Sequence, residues 1–425
     1  MSDHVKFLPP AAIPEGGAAT WSVEDAERWR AAGPPAVFAP NAGSWVLWVL
    51  VFVSIVLVAW NEPEAAASGT GWEAHWEGYP EAVLTFSLPL AYRLAPWLTL
   101  VMSGLLGARL LVSWGGVPVD DTPARAGTLL LLALLAWTAT GAWFRLRARR
   151  RQGALALAAA GERRVPVPEG LPGSHRLRGL PQLLSGSLLC LAGGGLLVWG
   201  AVAEAAAGTA HPYDPTGQQV IALLALAPGM PLLARGLSRQ WAARRLHAGP
   251  QPVLVVGVRA DSYDHSWLYP NAADTTGRPL IGFRDRFEDM AFTGRTLVGG
   301  AEERLRADHH DVNEYAEPYE ALLYGVPREG AEVVMEFADF YGDTRIGVRI
   351  KAVPLLARRR HSLYGWQPAG TSYTLAQRAE REARRERQRA SSSSSSSDSG
   401  GCGSSGDSCG SSCGSSCGGG CGGGD

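Results

Sequence analysis

The sequence is poor in lysine and in recognisable catalytic signatures. Lys6 and Lys351 are the only lysines in 425 residues, so arginine carries nearly all of the positive charge. Together with abundant alanine and glycine, this bias is typical of a GC-rich bacterial coding sequence rather than of a binding function. No phosphate-binding loop, nucleophile elbow or dinucleotide-binding glycine motif follows a predicted strand. We therefore predict no catalytic residues and no cofactor, and an enzyme is the less favoured class.

Charge is also missing from four long apolar stretches. At 1.5 Å of rise per residue, about 20 helical residues cover a hydrocarbon core of roughly 30 Å. Coupled transporters usually place acidic, basic or histidine side chains inside the membrane to bind ions or relay protons. The absence of such side chains from these stretches argues against a coupled transporter. The four predicted transmembrane helices are residues 44–60, 126–144, 183–203 and 220–234.

A fifth apolar stretch, residues 82–114, is less regular because Arg93 and Arg109 interrupt it. Only Leu94 to Ala108 is free of charge, which is short for a span unless both guanidinium groups reach opposite interfaces. One interpretation is an ordinary helix with such arginine ends, which makes residues 94–114 an uncertain fifth span. The other is a re-entrant or interfacial helix.

Arginine placement predicts the side of the membrane on which each connection lies, because basic loops stay in the cytoplasm. The connection after residue 144 begins RLRARRR, whereas the connection over residues 204–219 contains Glu204 and Asp214 but no basic residue. Four further arginines follow the last span: Arg235, Arg239, Arg244 and Arg245. We expect a multi-pass protein of the cell membrane with residues 251–425 in the cytoplasm.

Two interpretations exist for the N-terminal side of this topology. Residues 1–43 form a polar tail, and the loop from Glu62 to Glu81 is acidic without a basic residue, which favours an internal N-terminus and an external loop. That arrangement requires residues 82–114 to cross the membrane twice or not at all. A single crossing there would place the N-terminus outside and the acidic loop inside.

Glycine and proline in the third and fourth spans also allow two interpretations. Gly186, Cys190 and Gly194 recur every four residues and predict a small-residue face against which a neighbouring helix packs, with Cys190 as a small buried side chain. The Gly193 and Pro228 regions are alternatively the breaks of discontinuous helices around a midplane binding site. Packing is the simpler explanation.

Residues 251–367 have the pattern of a small soluble domain. Short β-favouring runs alternate with turn signals such as Gly342-Asp343. The runs are residues 253–259, 279–283, 296–298, 321–324, 333–337 and 346–353. We expect a mainly antiparallel barrel or sandwich with one helix around residues 300–311. The predicted fold is thus an α-helical integral membrane region followed by a small mainly-β soluble domain and a disordered tail.

One cluster in this domain has the chemistry of a metal site. Imidazole nitrogen and carboxylate oxygen are ligands of zinc and iron. The sequence places four such side chains together: Asp308, His309, His310 and Asp311. Asp261, Asp264 and His265 lie upstream. Because neighbours at i and i+1 point apart, the spacing favours a solvated loop and leaves these residues as weak metal candidates.

Beyond the β-rich region the chain is polar and of low complexity. Residues 374–390 favour a charged helix without an apolar face, and residues 391–425 form a Ser/Gly/Cys tail that we expect to be disordered. Four of its cysteines repeat every four residues: Cys409, Cys413, Cys417 and Cys421. A reducing cytoplasm would keep these thiols free. The repeat is interpreted as sequence slippage, with metal buffering, a redox role or cross-linking as alternatives.

Arginine-flanked spans, a β-rich portion and the ending CGSSCGSSCGGGCGGG together resemble uncharacterised multi-pass membrane proteins of high-GC bacteria with a Gly/Cys-rich tail. The resemblance implies no catalytic residues. We expect a non-enzymatic membrane protein that presents a cytoplasmic β-domain for partner recruitment or sensing. Its expected partners are the lipid bilayer and a cytoplasmic protein. Nucleic acid is not expected, because the arginine-rich connection lacks interleaved aromatic residues for base stacking.

Two other functional classes remain as alternatives. A transport-associated protein would have a hydrated cavity lined by the Gly193 and Pro228 regions. A membrane-bound metal-dependent enzyme would use the loop over residues 308–311.

Overall fold

The fold is that of a computed structural model, which describes residues 5–40, 44–58, 78–116, 120–207, 213, 215–262, 265–273, 275, 278–284, 286–301, 318–340 and 345–357. Several predicted features lie outside the described residues: most of the acidic loop, most of the helix around residues 300–311, the charged helix over 374–390 and the tail over 391–425. The metal candidates also lie outside them: Asp308, His309, His310, Asp311, Cys409, Cys413, Cys417 and Cys421.

Long apolar helices occupy the centre of the described chain. Within the described residues, four segments are long and apolar enough to cross a membrane: Pro96–Ser113, Thr122–Ala159, Gly173–Ala207 and Thr216–His247. The last three contain the predicted spans 126–144, 183–203 and 220–234, whereas the predicted span 44–60 corresponds to a shorter apolar helix, Ser44–Val58. The four long segments identify the chain as a membrane protein. In chain order the helices are α1 (Val23–Ala31), α2 (Ser44–Val58), α3 (Tyr79–Leu94), α4 (Pro96–Ser113), α5 (Thr122–Ala159), α6 (Gly173–Arg176), α7 (Leu180–Ala207) and α8 (Thr216–His247).

The outer surface of these helices fits lipid rather than water. Large apolar side chains point outward, as with Leu188 and Leu191, which are 70% and 74% exposed. Glycine residues and hydroxyl side chains instead lie between the helices. There Ser103 of α4 and Thr138 of α5 hydrogen-bond to each other at 3.2 Å. Without a hydrophobic driving force between helices, small and hydroxylated residues give membrane helices their close contacts. The helix region is therefore packed as a membrane bundle.

Residues 82–114 form a helical hairpin. Helix α3 ends at Leu94 and α4 begins at Pro96, with the non-helical Ala95 (φ −144°, ψ 81°) between them. Proline lacks an N–H and disfavours the helical conformation of the preceding residue, which explains the break. Glu81 and Arg109, fourteen residues before and after Ala95, form an ion pair of 2.6 Å. The two helices therefore run antiparallel, and the uncertain span over residues 94–114 is the second arm of this hairpin.

The tip and the open end of the hairpin lie at opposite ends of the bundle. At the tip, the Trp97 indole donates a hydrogen bond of 3.1 Å to Ser238, in the half of α8 that approaches the β-strands. At the open end, the Tyr79 hydroxyl donates to the carbonyl of Gln219, in the first turn of α8, at 2.9 Å. The chain thus enters and leaves the hairpin on the side away from the β-strands.

The soluble domain is built on one eight-stranded sheet. Its strands are β1 (Ala19–Thr20), β2 (Val253–Ser262), β3 (His265–Tyr269), β4 (Ile281–Arg284), β5 (Met290–Gly299), β6 (Tyr319–Tyr324), β7 (Glu332–Phe340) and β8 (Arg345–Pro354). The order is β4-β3-β2-β6-β7-β8-β5, all antiparallel, with β1 added parallel to β2. Each predicted β-run overlaps a strand, and the mainly antiparallel prediction is confirmed. The Leu356 N–H donates to the Gly282 carbonyl at 2.8 Å, which curls the sheet towards a barrel.

Both faces of the sheet are covered by apolar side chains. Strand alternation sends neighbouring residues to opposite faces. Leu254 packs in a core with Trp29 of α1 and Ala156 of α5. Val253 packs on the other face with Leu246, in the last turn of α8. Two membrane helices therefore continue directly into the cores of the β-domain.

The N-terminal segment belongs to this domain. Sequence reasoning treats residues 1–43 as a polar tail, whereas Trp21 and Trp29 are buried in the β-domain core. The Lys6 ammonium, also buried, forms an ion pair of 3.1 Å with Asp339 of β7. Two tryptophans in a polar segment are too few to form a periodic pattern. Their burial therefore cannot be predicted from the neighbouring sequence. The N-terminal segment and the β-strands consequently lie on the same side of the helix bundle.

Helices α7 and α8 pack along a glycine seam. The buried residues of α7 recur every seven positions: Gly186, Gly193 and Gly200. A Cβ on Gly186 would lie 2.7 Å from the Cα of Leu233 on α8, closer than real contacts allow. The predicted four-residue face of Gly186, Cys190 and Gly194 is wrong at Gly194, where an added Cβ meets nothing within 4 Å.

The Gly186→Ala substitution is expected to destabilise the helix pair by about 1 to 3 kcal/mol, because the new methyl group meets backbone that cannot move aside. Thermal unfolding of the purified full chain in detergent measures this. Gly194→Ala, on the same helix, is the matched control and should be neutral or slightly stabilising, since alanine favours helix over glycine. Equal effects of both substitutions would contradict the seam.

Candidate functional site

A cavity of about 730 Å³ lies where the membrane helices meet the β-domain. It is bounded by the start of α4, the later halves of α5 and α8, and the connection between β6 and β7. Four large apolar side chains contribute to its wall: Trp97, Leu146, Leu237 and Trp241. Five arginines also line it: Arg149, Arg150, Arg244, Arg245 and Arg328. The wall of the cavity therefore combines positive charge with apolar surface.

Two helix continuations bring the arginines to the cavity. Helix α5 runs on past the membrane stretch to Ala159, so that RLRARRR is helical rather than a loop. Arg244 and Arg245 lie in the last turn of α8, where basic side chains interact favourably with the helix dipole. The Arg245 guanidinium lies over the Trp241 ring, one turn earlier, at 4.2 Å from the ring centroid. This cation–π contact holds Arg245 at the cavity wall.

The cavity carries more positive than negative charge among the described residues. Of the described residues in its wall, Glu329 is the only acidic one, and it is already engaged by two arginines. Within the described residues, the side chains of Arg150, Arg244 and Arg328 have no ion-pair partner. Burial lowers the pKa of Arg328, and the nearby charges of Arg149 and Arg245 lower it further. An anion entering the cavity would therefore relieve repulsion among cations.

Glu329 lies in the cavity wall and is held in a buried charge cluster. Its Oε1 accepts hydrogen bonds from Arg145 at 2.7 Å and from Arg149 at 2.9 Å. Arg145 and Glu329 are 1% and 5% exposed, and Arg145 also donates to the Tyr92 carbonyl at the hairpin tip. The cluster thus joins α3, α5 and the β6–β7 connection. The Nε–H of Arg149 is buried and has no hydrogen-bond partner among the described residues.

Electrostatics keep Glu329 ionised in this buried position. Burial alone raises the pKa of a carboxyl group, but the charges and hydrogen bonds of Arg145 and Arg149 outweigh it. The net effect lowers the pKa of Glu329 from its usual 4.5 to about 2. The carboxylate is therefore charged at any physiological pH.

A second polar cluster ties the α5–α7 connection to α8 and β7. The Nε2 atoms of His175 and His247 are 3.0 Å apart, and His175 Nδ1 lies 3.4 Å from Glu332 Oε1. Arg178 donates from Nε to the same oxygen at 2.6 Å. The short distance between ring nitrogens requires one ring to accept and the other to donate a hydrogen. Among the described residues no three His, Cys, Asp or Glu side chains are arranged to hold a metal ion.

Few residues named from the sequence enter either cluster. The four loop candidates and the tail cysteines lie outside the described residues, and so does Asp264. His265 lies on β3 opposite Arg284 of β4. Sequence reasoning interprets the arginines after residue 144 as a topology signal, with binding of anionic lipid or nucleic acid as the alternative. Their role in the cavity could have been suspected only from the spacing of Arg145 and Arg149, which places both on one helix face.

Glu329→Gln is expected to lower the free energy of unfolding at pH 7 by about 3 kcal/mol or more, because it leaves Arg145 buried without a countercharge. Since the pKa of folded Glu329 is about 2 and its usual value is 4.5, the ionised group stabilises the fold above about pH 4.5. That contribution, roughly 3 kcal/mol, is lost as the pH falls from 4.5 towards 2. Denaturant unfolding of the full chain in detergent between pH 7 and 3 measures both effects.

The control for this prediction is Glu288→Gln. Glu288 is exposed on the β-domain surface and pairs with Arg286 at 3.1 Å. Such a pair contributes at most about 1 kcal/mol. A Glu329→Gln protein as stable as this control, with the same pH dependence as the unaltered chain, would contradict the anchoring role.

No family model, curated protein or solved structure matches the chain. The function must therefore be inferred from the chain's own residues and their arrangement.

Proposed function

We propose that the chain is a non-enzymatic protein of the cell membrane that holds its β-domain against the cytoplasmic face for partner recruitment or sensing. The observation that carries this proposal is the buried cluster of Arg145, Arg149 and Glu329. It joins the β-domain to the membrane helices without a flexible linker. A domain fixed in this way keeps one orientation towards the membrane and presents the same surface to a partner.

The distribution of arginine supports the cytoplasmic placement. The arginines of α5 and α8 beyond the membrane stretch all lie at the end that carries the β-domain. At the opposite end, Arg109 is paired with Glu81 at 2.6 Å and Arg125 lies over the Trp114 ring at 5.7 Å. The positive-inside rule retains in the cytoplasm the side on which more Lys and Arg residues flank the spans. The hairpin of α3 and α4 lets the N-terminal segment lie on the same side.

The packing of α7 and α8 supports a scaffold more than a transporter. Helix α8 continues from Thr216 to His247 through Pro228 and Pro231, and α7 continues through its glycine run. A Cβ on Gly193 would lie 2.8 Å from Leu226 of α8. The two helices are in close contact at these regions. The hydrated cavity expected of a transport-associated protein is therefore not supported by the described residues.

The sidedness of the β-domain gives a direct test. In a background without the six native cysteines, we expect Ala206→Cys in α7 to react with a membrane-impermeant thiol reagent on intact cells. Thr296→Cys on β5 should react only after permeabilisation, because arginine retention keeps the β-domain inside. Both positions are exposed. Labelling of Thr296→Cys on intact cells would overturn the cytoplasmic placement.

Partner recruitment predicts a specific protein contact at the β-domain surface. Phe292 on β5 is 43% exposed, which makes it a suitable position for a photo-crosslinking amino acid. We expect crosslinking in cells to join the chain to a discrete soluble protein from this position. The lipid-facing Leu188 of α7 is the matched control and should give no such product. If neither Phe292 nor Thr296 yields a protein product, the recruitment role is wrong.

A further inference from the structure

We infer that the arginine-lined cavity binds the phosphate-bearing headgroup of an anionic phospholipid. This inference deepens the proposed function, and it rests on that proposal for the placement of the cavity at the membrane surface. The ligand would be taken from the leaflet on the β-domain side. Its phosphate would lie among the arginines and its glycerol and acyl chains along the apolar wall.

The position of the cavity favours a lipid. It opens where α5 and α8 leave the apolar layer, and its wall includes exposed Trp97 and Trp241. Tryptophan prefers the headgroup region of a bilayer, because its ring is apolar and its N–H is polar. Leu237, also exposed, continues the wall towards the outward apolar surface of α8. A lipid in the neighbouring leaflet can therefore reach the arginines without leaving the bilayer.

The donor set favours phosphate. Guanidinium groups bind phosphate oxygens through paired, charge-assisted hydrogen bonds. Arg150, Arg244 and Arg328 are available for such bonds, and the buried Nε–H of Arg149 adds a further donor. Glu329 does not compete, because Arg145 and Arg149 already occupy it. Basic pockets between membrane helices on the cytoplasmic side are known to suit anionic lipid headgroups.

The size of the cavity distinguishes a headgroup from a free ion. A volume of about 730 Å³ falls in the range of sites that enclose whole organic ligands. A single inorganic phosphate would leave most of that space to water. A phosphodiester with its glycerol and the first methylene groups fills it and uses both the charged and the apolar walls.

The ligand would also strengthen the attachment of the β-domain. Arg150 and Arg244 come from the membrane helices, whereas Arg328 belongs to the β6–β7 connection. One headgroup bound by both sets bridges the two parts of the molecule. Since a ligand that binds only the folded state stabilises it, thermal stability should rise with anionic lipid.

The test compares two double variants of the full chain purified in an uncharged detergent. Arg150→Gln with Arg244→Gln removes two cavity arginines, and Arg147→Gln with Arg151→Gln removes two exposed arginines of α5 outside the cavity. Native mass spectrometry measures retention of phosphatidylglycerol, of phosphatidylcholine with the same acyl chains, and of inorganic phosphate. Thermal unfolding with each addition provides a second readout.

The unaltered chain is expected to retain phosphatidylglycerol at least about tenfold more tightly than phosphatidylcholine, because the positive choline group offsets the phosphate charge. Loss of both cavity arginines should weaken phosphatidylglycerol binding by about 30-fold. The Arg147 and Arg151 double variant should bind like the unaltered chain. Only phosphatidylglycerol should raise the thermal unfolding temperature, and only in the proteins that keep the cavity arginines.

Three results would overturn the inference: equal retention of the two lipids, equal weakening by both double variants, or displacement of phosphatidylglycerol by an equal concentration of inorganic phosphate. The last result would assign the cavity to a free anion. If the double cavity variant does not fold, Arg328→Gln alone gives the same comparison from the β-domain side. Detergent has no inside or outside, so these results are independent of the labelling test of sidedness.

Discussion

The structure depends on one carboxylate that is buried between two guanidinium groups. Removing these charges from water costs several kcal/mol per ion, and for Glu329 the attraction of the two arginines outweighs that cost. The cluster of Arg145, Arg149 and Glu329 therefore contributes to stability as well as to position. A carboxylate shared by two helix-borne arginines fixes the β6–β7 connection against α5, and the Arg145 bond to the Tyr92 carbonyl fixes the hairpin tip as well. The cavity owes its shape to this arrangement.

Helix α5 extends without interruption from the membrane region into the β-domain. Its 38 residues extend about 57 Å, well beyond a hydrocarbon core of roughly 30 Å. The same helix contributes Thr138 to the membrane interior and Ala156 to a β-domain core. One continuous helix therefore contributes to the membrane bundle, to the cavity wall and to the β-domain core.

Sequence alone predicts what short-range patterns determine. Apolar length predicts three of the four membrane-length helices, and the β-favouring runs predict six of the eight strands but miss β1 and β3. Contacts between distant residues could not be read in this way: Lys6 pairs with Asp339, and His175 with Glu332. The scarcity of lysine looked purely compositional, yet both lysines are buried in the β-domain. Sequence alone also did not indicate which glycines of α7 contact α8, because that depends on the position of the partner helix.

The arginine run after residue 144 is divided by the helix between two environments. The positive-inside rule needs a number of arginines and is indifferent to their order. Helix periodicity then separates them: Arg145 and Arg149 share the face that meets Glu329, whereas Arg147 and Arg151 face outward. Arg150 lies at the border and lines the cavity. A run of arginines thus comes to line a cavity where the helix continues and the β-domain covers one of its faces, and more arginines line that cavity than pair with Glu329.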